Sequence, residues 1–179
     1  KRFNVGIAHN PQSNMKLASG VSPVPKMLEK GLAVGLGTDS AASNNDLNLW
    51  EEMDTAAKLH KVFTMNPKAI SAREAFEMAT INAARALHLE DKIGSLEVKK
   101  RGDFVIVNLD NLNQIPRYDI YSSLVYATKA TAVETVIIEG KSVLLNGNLQ
   151  TLDEKVIKAK SIALRQKVIN SLTNEVPKP

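Results

Sequence analysis

The sequence predicts an α/β fold with a small β appendage and a closing helix, and three observations carry that expectation. Residues 5–37 spell a short apolar run, a polar loop, a short amphipathic stretch and a second apolar run. That is the order of a βαβ unit in a parallel sheet. After Asp91 the apolar spacing changes from helical to strand-like, with short β-branched runs bounded by Gly and Asp. From Thr151 the helical period returns. The chain divides accordingly into residues 1–90, 91–150 and 151–179.

Val5-Gly6-Ile7-Ala8 reads as the first strand, after a start without an initiator Met. Terminal residues are ordinarily loose until tied down, so the sequence is expected to begin inside a larger unit. Pro11 lacks an N–H and holds Asn10 extended, which predicts a turn after His9 and a loop on to Gly20. Ser22-Pro23 predicts a helix start, with Ser22 as the cap and Pro23 at the first helical position. Val24, Met27 and Leu28 share its apolar face, and Gly31 stops it. Residues 32–36 form the second strand, followed by a polar loop over 41–45. A longer helix is expected from Asp46 to about Met65, with Leu49, Met53, Ala56, Ala57 and Val62 on its buried face. Ser71 and Glu74 make a capping box that opens one further helix carrying Phe76, Ala79, Ala83 and Leu87.

In the β region, Ile93-Gly94-Ser95-Leu96, Phe104-Val105-Ile106-Val107 and residues 133–138 read as strands. Glu139-Gly140 and Asn146-Gly147 are tight-turn signals on either side of Val143-Leu144-Leu145. Thr151 and Glu154 repeat the capping-box pattern and open a closing helix with Ile157, Leu164, Val168 and Leu172 on one face.

Composition excludes several function classes. No apolar run approaches the roughly 20 residues of a membrane span and no signal-peptide pattern opens the chain, so no membrane partner is expected. The absence of Cys removes disulfides and thiolate metal sites, and a cytoplasmic setting is the expectation. The net charge is +4, but residues 151–179 hold six Lys/Arg against three Asp/Glu, so most of the excess lies in the closing helix. That distribution, with aromatic residues at only 4%, argues against a basic groove with stacking platforms, and no nucleic-acid partner is expected.

Gly35-Leu36-Gly37-Thr38-Asp39-Ser40 places a carboxylate where a strand stops. In a parallel α/β barrel the carboxyl ends of the strands carry the chemistry. An Asp in this position also caps turns through its side-chain oxygen, and the residues alone leave both roles open. His9, His60 and His88 make no metal-binding pair. His60 and His88 are expected at the surface. His9 ends a strand, where function and a loop-anchoring hydrogen bond are both open. There is no phosphate-binding loop or dinucleotide fingerprint, and Ser13, Ser40 and Ser43 lack a nucleophile-elbow context.

His9-Asn10-Pro11-Gln12-Ser13-Asn14-Met15-Lys16-Leu17-Ala18-Ser19-Gly20, Gly35-Leu36-Gly37-Thr38-Asp39 and Ala42-Ser43-Asn44-Asn45-Asp46-Leu47 together resemble the amidohydrolase superfamily. Ala79-Thr80-Ile81-Asn82-Ala83-Ala84-Arg85-Ala86-Leu87 and Ile93-Gly94-Ser95-Leu96-Glu97 to Gly102-Asp103 extend the likeness, which covers residues 4–150 or so. Within the superfamily the chain is similar to the 5-methylthioadenosine/S-adenosylhomocysteine deaminases and their chlorohydrolase relatives. The resemblance implies a partial (β/α)8 TIM barrel, its last two βα units, with the C-terminal part of a small β-sandwich and a terminal helix. A whole barrel takes roughly 250 residues, so the chain is expected to be the C-terminal part of a metal-dependent hydrolase.

The resemblance further implies Asp39 as catalytic residue and metal ligand, at the position of the family's eighth-strand Asp. It implies Ser43 as a substrate contact, with Asn14 and His9 as further substrate-binding candidates. The family's His-x-His pair, its other His ligands and its catalytic Glu have no counterpart here. The implied cofactor is one divalent metal in the intact enzyme, zinc first, iron or manganese as alternatives, and absent or weakly bound in this chain alone. The implied reaction is attack of a metal-activated water on an adenosine-type substrate with release of ammonia. A small-molecule purine nucleoside is thus the expected partner, in a homo-oligomer. The rivals are a chlorohydrolase or a guanine or cytosine deaminase and, in another class, a non-catalytic association module.

Overall fold

A computed structural model describes residues 2–174. Two strands, β1 (Ile7–His9) and β2 (Val34–Leu36), pair in parallel with Ile7 opposite Val34 and His9 opposite Leu36. Two short helices join them, α1 (Pro11–Lys16) and α2 (Val24–Glu29). Beyond β2 come α3 (Ala41–Asn44), α4 (Leu49–Thr64), α5 (Ala72–Ala79) and α6 (Ile81–Ala86). The rest comprises β3 (Phe104–Val107), α7 (Ile120–Ser122), β4 (Val133–Ile138), β5 (Lys141–Leu145), β6 (Asn148–Leu149) and α8 (Glu154–Asn174). Strands β3 to β6 form an antiparallel sheet in sequence order. The mixed α/β class and the parallel pairing are as the sequence predicts.

The core lies where β2 meets α4 and α5. Val34, Leu36, Met53, Ala56, Ala57, Ala75 and Met78 form one buried cluster with Val24, Ile70 and Val125. Strand β2 is buried along its whole length, as an apolar strand covered by helices should be. Gly35 makes this packing possible, because a Cβ there would stand 2.7 Å from the Ala83 Cα. Both hairpin signals hold: Glu139 and Gly140 have φ 50 and 74, and Asn146 and Gly147 have φ 47 and 76. Two consecutive positive φ values are what a two-residue hairpin turn requires.

Several expectations are corrected. Residues 11–16, expected in a turn and loop, form α1 with Pro11 in its first turn, where a missing N–H costs nothing. Helix α2 begins at Val24 rather than Pro23, and Ser22 provides no side-chain cap. Part of the predicted polar loop is helix α3. Helix α4 starts at Leu49, with the Asn48 side chain accepting the Trp50 N–H at 3.0 Å, so Asp46 lies before it. The Ser71–Glu74 box forms in both directions, but the helix it opens breaks at Thr80 (φ −129, ψ −102) into α5 and α6. Leu87 lies beyond α6 and is exposed.

Residues 93–96 are not a strand, and Gly94 turns there at φ 89. Helix α8 is capped by Asp153, whose Oδ1 accepts the Lys155 and Val156 N–H groups at 2.8 and 3.1 Å, and not by Thr151. Its apolar face, Ile157, Leu164, Val168 and Leu172, is exposed. Among the described residues no helix is long and apolar enough to cross a membrane.

Candidate active site

Asp39 stands three residues beyond the end of β2 with its backbone in the left-handed region at φ 59. Asp tolerates that region better than most residues because its short side chain bonds locally. The loop reaches it through Gly37, whose N–H donates to the His9 carbonyl at 2.9 Å. A Cβ on Gly37 would lie 2.4 Å from Asn10 Oδ1, so a larger residue there would have to displace the Asn10 amide.

Two hydroxyls converge on one carboxylate oxygen. Ser43 Oγ, on α3, donates to Asp39 Oδ2 at 2.7 Å, and Ser13 Oγ, on α1, donates to the same atom at 2.8 Å. Ser43 is itself held by Ser40, the α3 cap: Ser40 Oγ accepts the Ser43 N–H and Ser43 Oγ accepts the Ser40 N–H. Hydrogen bonds to the ionised form lower a carboxyl pKa. The Ser43 hydroxyl, then the Ser13 hydroxyl, hold Asp39 below its ordinary range. The side chain is solvent-exposed and ionised at neutral pH.

A second carboxylate lies behind the first. Glu52, in the first turn of α4, is fully buried. Its Oε2 accepts the Gln12 backbone N–H at 3.2 Å, and its Oε1 accepts Asn44 Nδ2 at 2.6 Å. Asn44 Nδ2 also donates to the Thr38 carbonyl at 2.9 Å. Burial pushes the Glu52 carboxyl up, against the opposing pull of the Gln12 N–H and Asn44. Lys16 Nζ adds a link from α1 to the Ala42 carbonyl at 2.9 Å and to Asn45 Oδ1.

The sequence candidates are distributed unevenly around this site. Ser43 touches Asp39 directly. Asn14 sits on α1 beside Ser13, half-buried, with its carbonyl accepting the Ser19 N–H at 2.9 Å. His9 is buried, with its Nε2 3.1 Å from Nε2 of His60. Burial, then His60, lowers the His9 pKa to about 4, and burial lowers that of His60. The expectation that His60 lies at the surface is corrected, since it follows Ala56 and Ala57 by four and three residues on the packed face of α4. His88 is exposed, as expected.

Ser13, Asn44 and Glu52 were not among the sequence candidates. The signal for Glu52 was its place in the apolar stripe of α4, between Leu49 and Met53.

Asp39 suits a divalent cation as one hard oxygen ligand, ionised and accessible. Among the described residues no three His, Cys, Asp or Glu side chains are grouped to hold a metal ion.

The sequence of residues 1–143 matches the amidohydrolase family. The chain belongs to that family. It is 47% identical over 168 residues to a 5-methylthioadenosine/S-adenosylhomocysteine deaminase of Syntrophomonas wolfei, covering 94% of this chain and 39% of the relative. It is 49% identical over 157 residues to a 5'-deoxyadenosine deaminase of Methanosarcina acetivorans, covering 88% and 36%. Among solved structures, this amidohydrolase chain superposes with a TM-score of 0.90 and 37% identity on a zinc-bound adenosine deaminase from Xanthomonas campestris, covering 93% and 38%. It also matches the zinc complex of atrazine chlorohydrolase from Arthrobacter aurescens, with a TM-score of 0.83 and 29% identity, covering 90% and 36%. The chain thus spans about two fifths of the length of the curated relatives it matches.

Proposed function

We propose that this chain is the carboxyl-terminal part of a zinc-dependent hydrolytic deaminase acting on adenosine-type nucleosides such as 5-methylthioadenosine and S-adenosylhomocysteine. In this reading β1 and β2 are the last two strands of a (β/α)8 barrel, and β3 to β6 belong to a small β-sandwich. The observation that carries it is the ionised, accessible Asp39 at the end of β2, held through one oxygen by Ser13 and Ser43. The names of the relatives support the substrate class.

When bound, the divalent ion lowers the pKa of a water so that it can attack near neutral pH. Asp39 takes one proton of the attacking water and returns it to the departing amine, while the other ends on the adjacent ring nitrogen, so that N=C–NH2 and H2O become HN–C=O and NH3. The two serines hold the carboxylate in the orientation that this transfer needs. Ser43, with its hydroxyl at the exposed side, is also the candidate nearest to a bound purine. Asn14 lines the α1 side of the site, and His9 supports the same strand end from within the packing.

The test is ammonia release by the intact zinc enzyme from 5-methylthioadenosine, S-adenosylhomocysteine and 5'-deoxyadenosine, with a chlorotriazine and guanine as competing substrates. Asp39→Asn should lower kcat by about 10²- to 10⁴-fold while leaving the fold intact. Asp46→Asn, before α4, should leave turnover nearly unchanged. The 179-residue chain alone should show no turnover above a metal-free blank. Normal turnover in Asp39→Asn together with loss in Asp46→Asn would place the chemistry on the wrong carboxylate.

A further inference from the structure

Asp39 is held by two serines that arrive from different elements, and neither element is long enough to hold its own place. Helix α1 has six residues and α3 has four, lengths at which a helix in water is unstable by itself. What fixes them must come from outside, and both lead to the same group. The residue before Ser13 is Gln12, whose N–H donates to Glu52 Oε2. The residue after Ser43 is Asn44, whose Nδ2 donates to Glu52 Oε1. One carboxylate, on the rigid 16-residue α4, therefore holds the immediate neighbour of each serine.

We propose that Glu52 is a positioning residue for Asp39, clamping α1 and α3 so that Ser13 and Ser43 both reach the same carboxylate oxygen. This rests on the reading of Asp39 as the proton-transferring group.

The chemistry of the clamp demands a carboxylate. Both incoming groups are donors, so both oxygens must accept. A glutamine offers one acceptor and turns an NH2 group toward the other donor. Asn44 cannot compensate by rotating its amide, because its Nδ2 is shared with the Thr38 carbonyl, which would then face an oxygen. Protonated Glu52 fails in the same way. The start of α4 favours the ionised form, since the positive end of the helix dipole lies there. Among the described residues no Lys or Arg neutralises the group; its partners are two neutral donors. A buried carboxylate maintained without a cation is costly as a mere packing element, and its position between the two serine-bearing segments accounts for it.

The experiment is a pair of substitutions in the intact enzyme, read by kinetics and by crystallography. In Glu52→Gln, kcat should fall by about 10- to 100-fold with KM little changed, as displacements near 1 Å at a reacting group produce. In the Asp39→Asn background the same substitution should have almost no further effect, because the group it positions is already lost. A purely structural Glu52 would instead lower activity by the same factor in both backgrounds, and that result overturns the proposal. In the crystal structure of Glu52→Gln, at least one serine should leave hydrogen-bonding distance of Asp39 Oδ2. Both bonds unchanged would overturn the proposal even if the enzyme proved to have another substrate, since this arm needs no turnover. If Glu52→Gln does not fold, Asn44→Ala releases the Ser43 arm alone and is read by the same kinetics and the same two distances. Absence of deamination in the wild type, with the serines displaced in the variant, would refute the proposed function while leaving the clamp in place.

Discussion

Glu52 and His60 lie on one packed face of α4, about two helical turns apart, and both are fully buried. Their surroundings differ. Each oxygen of Glu52 meets a donor at hydrogen-bonding distance. His60 and His9 share a single Nε2···Nε2 contact, and the Nδ1 atoms of both rings are buried without a partner. With both rings neutral, one Nε2 carries a hydrogen and donates to the other. The accepting ring then presents an Nδ1–H to the interior with nothing to receive it. A buried polar group without a partner costs roughly 1–3 kcal/mol. The carboxylate cluster is thus built around its charge, whereas the histidine pair persists only while neutral.

Acid should separate the two clusters most strongly. The unfolded chain binds a proton at His9 below its ordinary pKa of 6.5, while the folded chain resists until about pH 4. Stability is therefore complete above pH 6.5 and falls as the pH drops toward 4, by about 3 kcal/mol from this group. Glu52 acts with the opposite sign. Its raised pKa burdens the folded state at neutral pH, and that burden is relieved as the pH falls through it. Urea unfolding at stepped pH should give a declining stability over this window, and a steeper decline in Glu52→Gln, which lacks the relief. A flat profile between pH 6.5 and 4 in Glu52→Gln, where no opposing relief operates, would show that His9 is not held neutral by burial. The lowered carboxyls of Asp39, Glu97 and Asp119 begin to lose their contributions only at the acid edge of this window, near their ordinary values of 3.8 to 4.5.

Breaking the histidine pair should have the next largest effect. His60→Leu leaves the His9 ring buried with neither nitrogen bonded, and chemical unfolding should report a loss of about 1–3 kcal/mol. The double change His9→Leu with His60→Leu removes the unpaired groups altogether. It should recover most of that loss, since replacing both partners by apolar groups of similar shape is close to neutral. Additive destabilisation in the double variant would mean that the rings are held by contacts other than each other.

A smaller change sharpens the carboxylate side. Gln12 reaches α4 twice, through its N–H to Glu52 and through Nε2 to Thr55 Oγ1 at 3.1 Å. Thr55→Val keeps the volume and removes only the second bond, so the loss should be about 0.5–1.5 kcal/mol in the same unfolding assay. A loss as large as that of Glu52→Gln would move the anchor of α1 from Glu52 to the Gln12 side chain.

Much of the framework was legible in the residues. The βαβ order of residues 5–37, the Ser71–Glu74 capping box, the two hairpin turns and the carboxylate at the end of the second strand all follow from short-range rules of turns, caps and period. Those rules act between residues three or four apart, and the sequence contains both partners side by side. Helices α1 and α3 escaped them because segments of six and four residues carry too little propensity to declare themselves and exist only through tertiary contacts. Ser13 and Asp39 meet across 26 positions, Gln12 and Glu52 across 40, and His9 and His60 across 51. The helical period could place Glu52 and His60 on the buried stripe of α4. Whether a polar group there is satisfied or left unpaired depended on donors and acceptors brought from distant segments. Only the tertiary structure decides that, because the energy of a buried polar atom belongs to its partner as much as to itself.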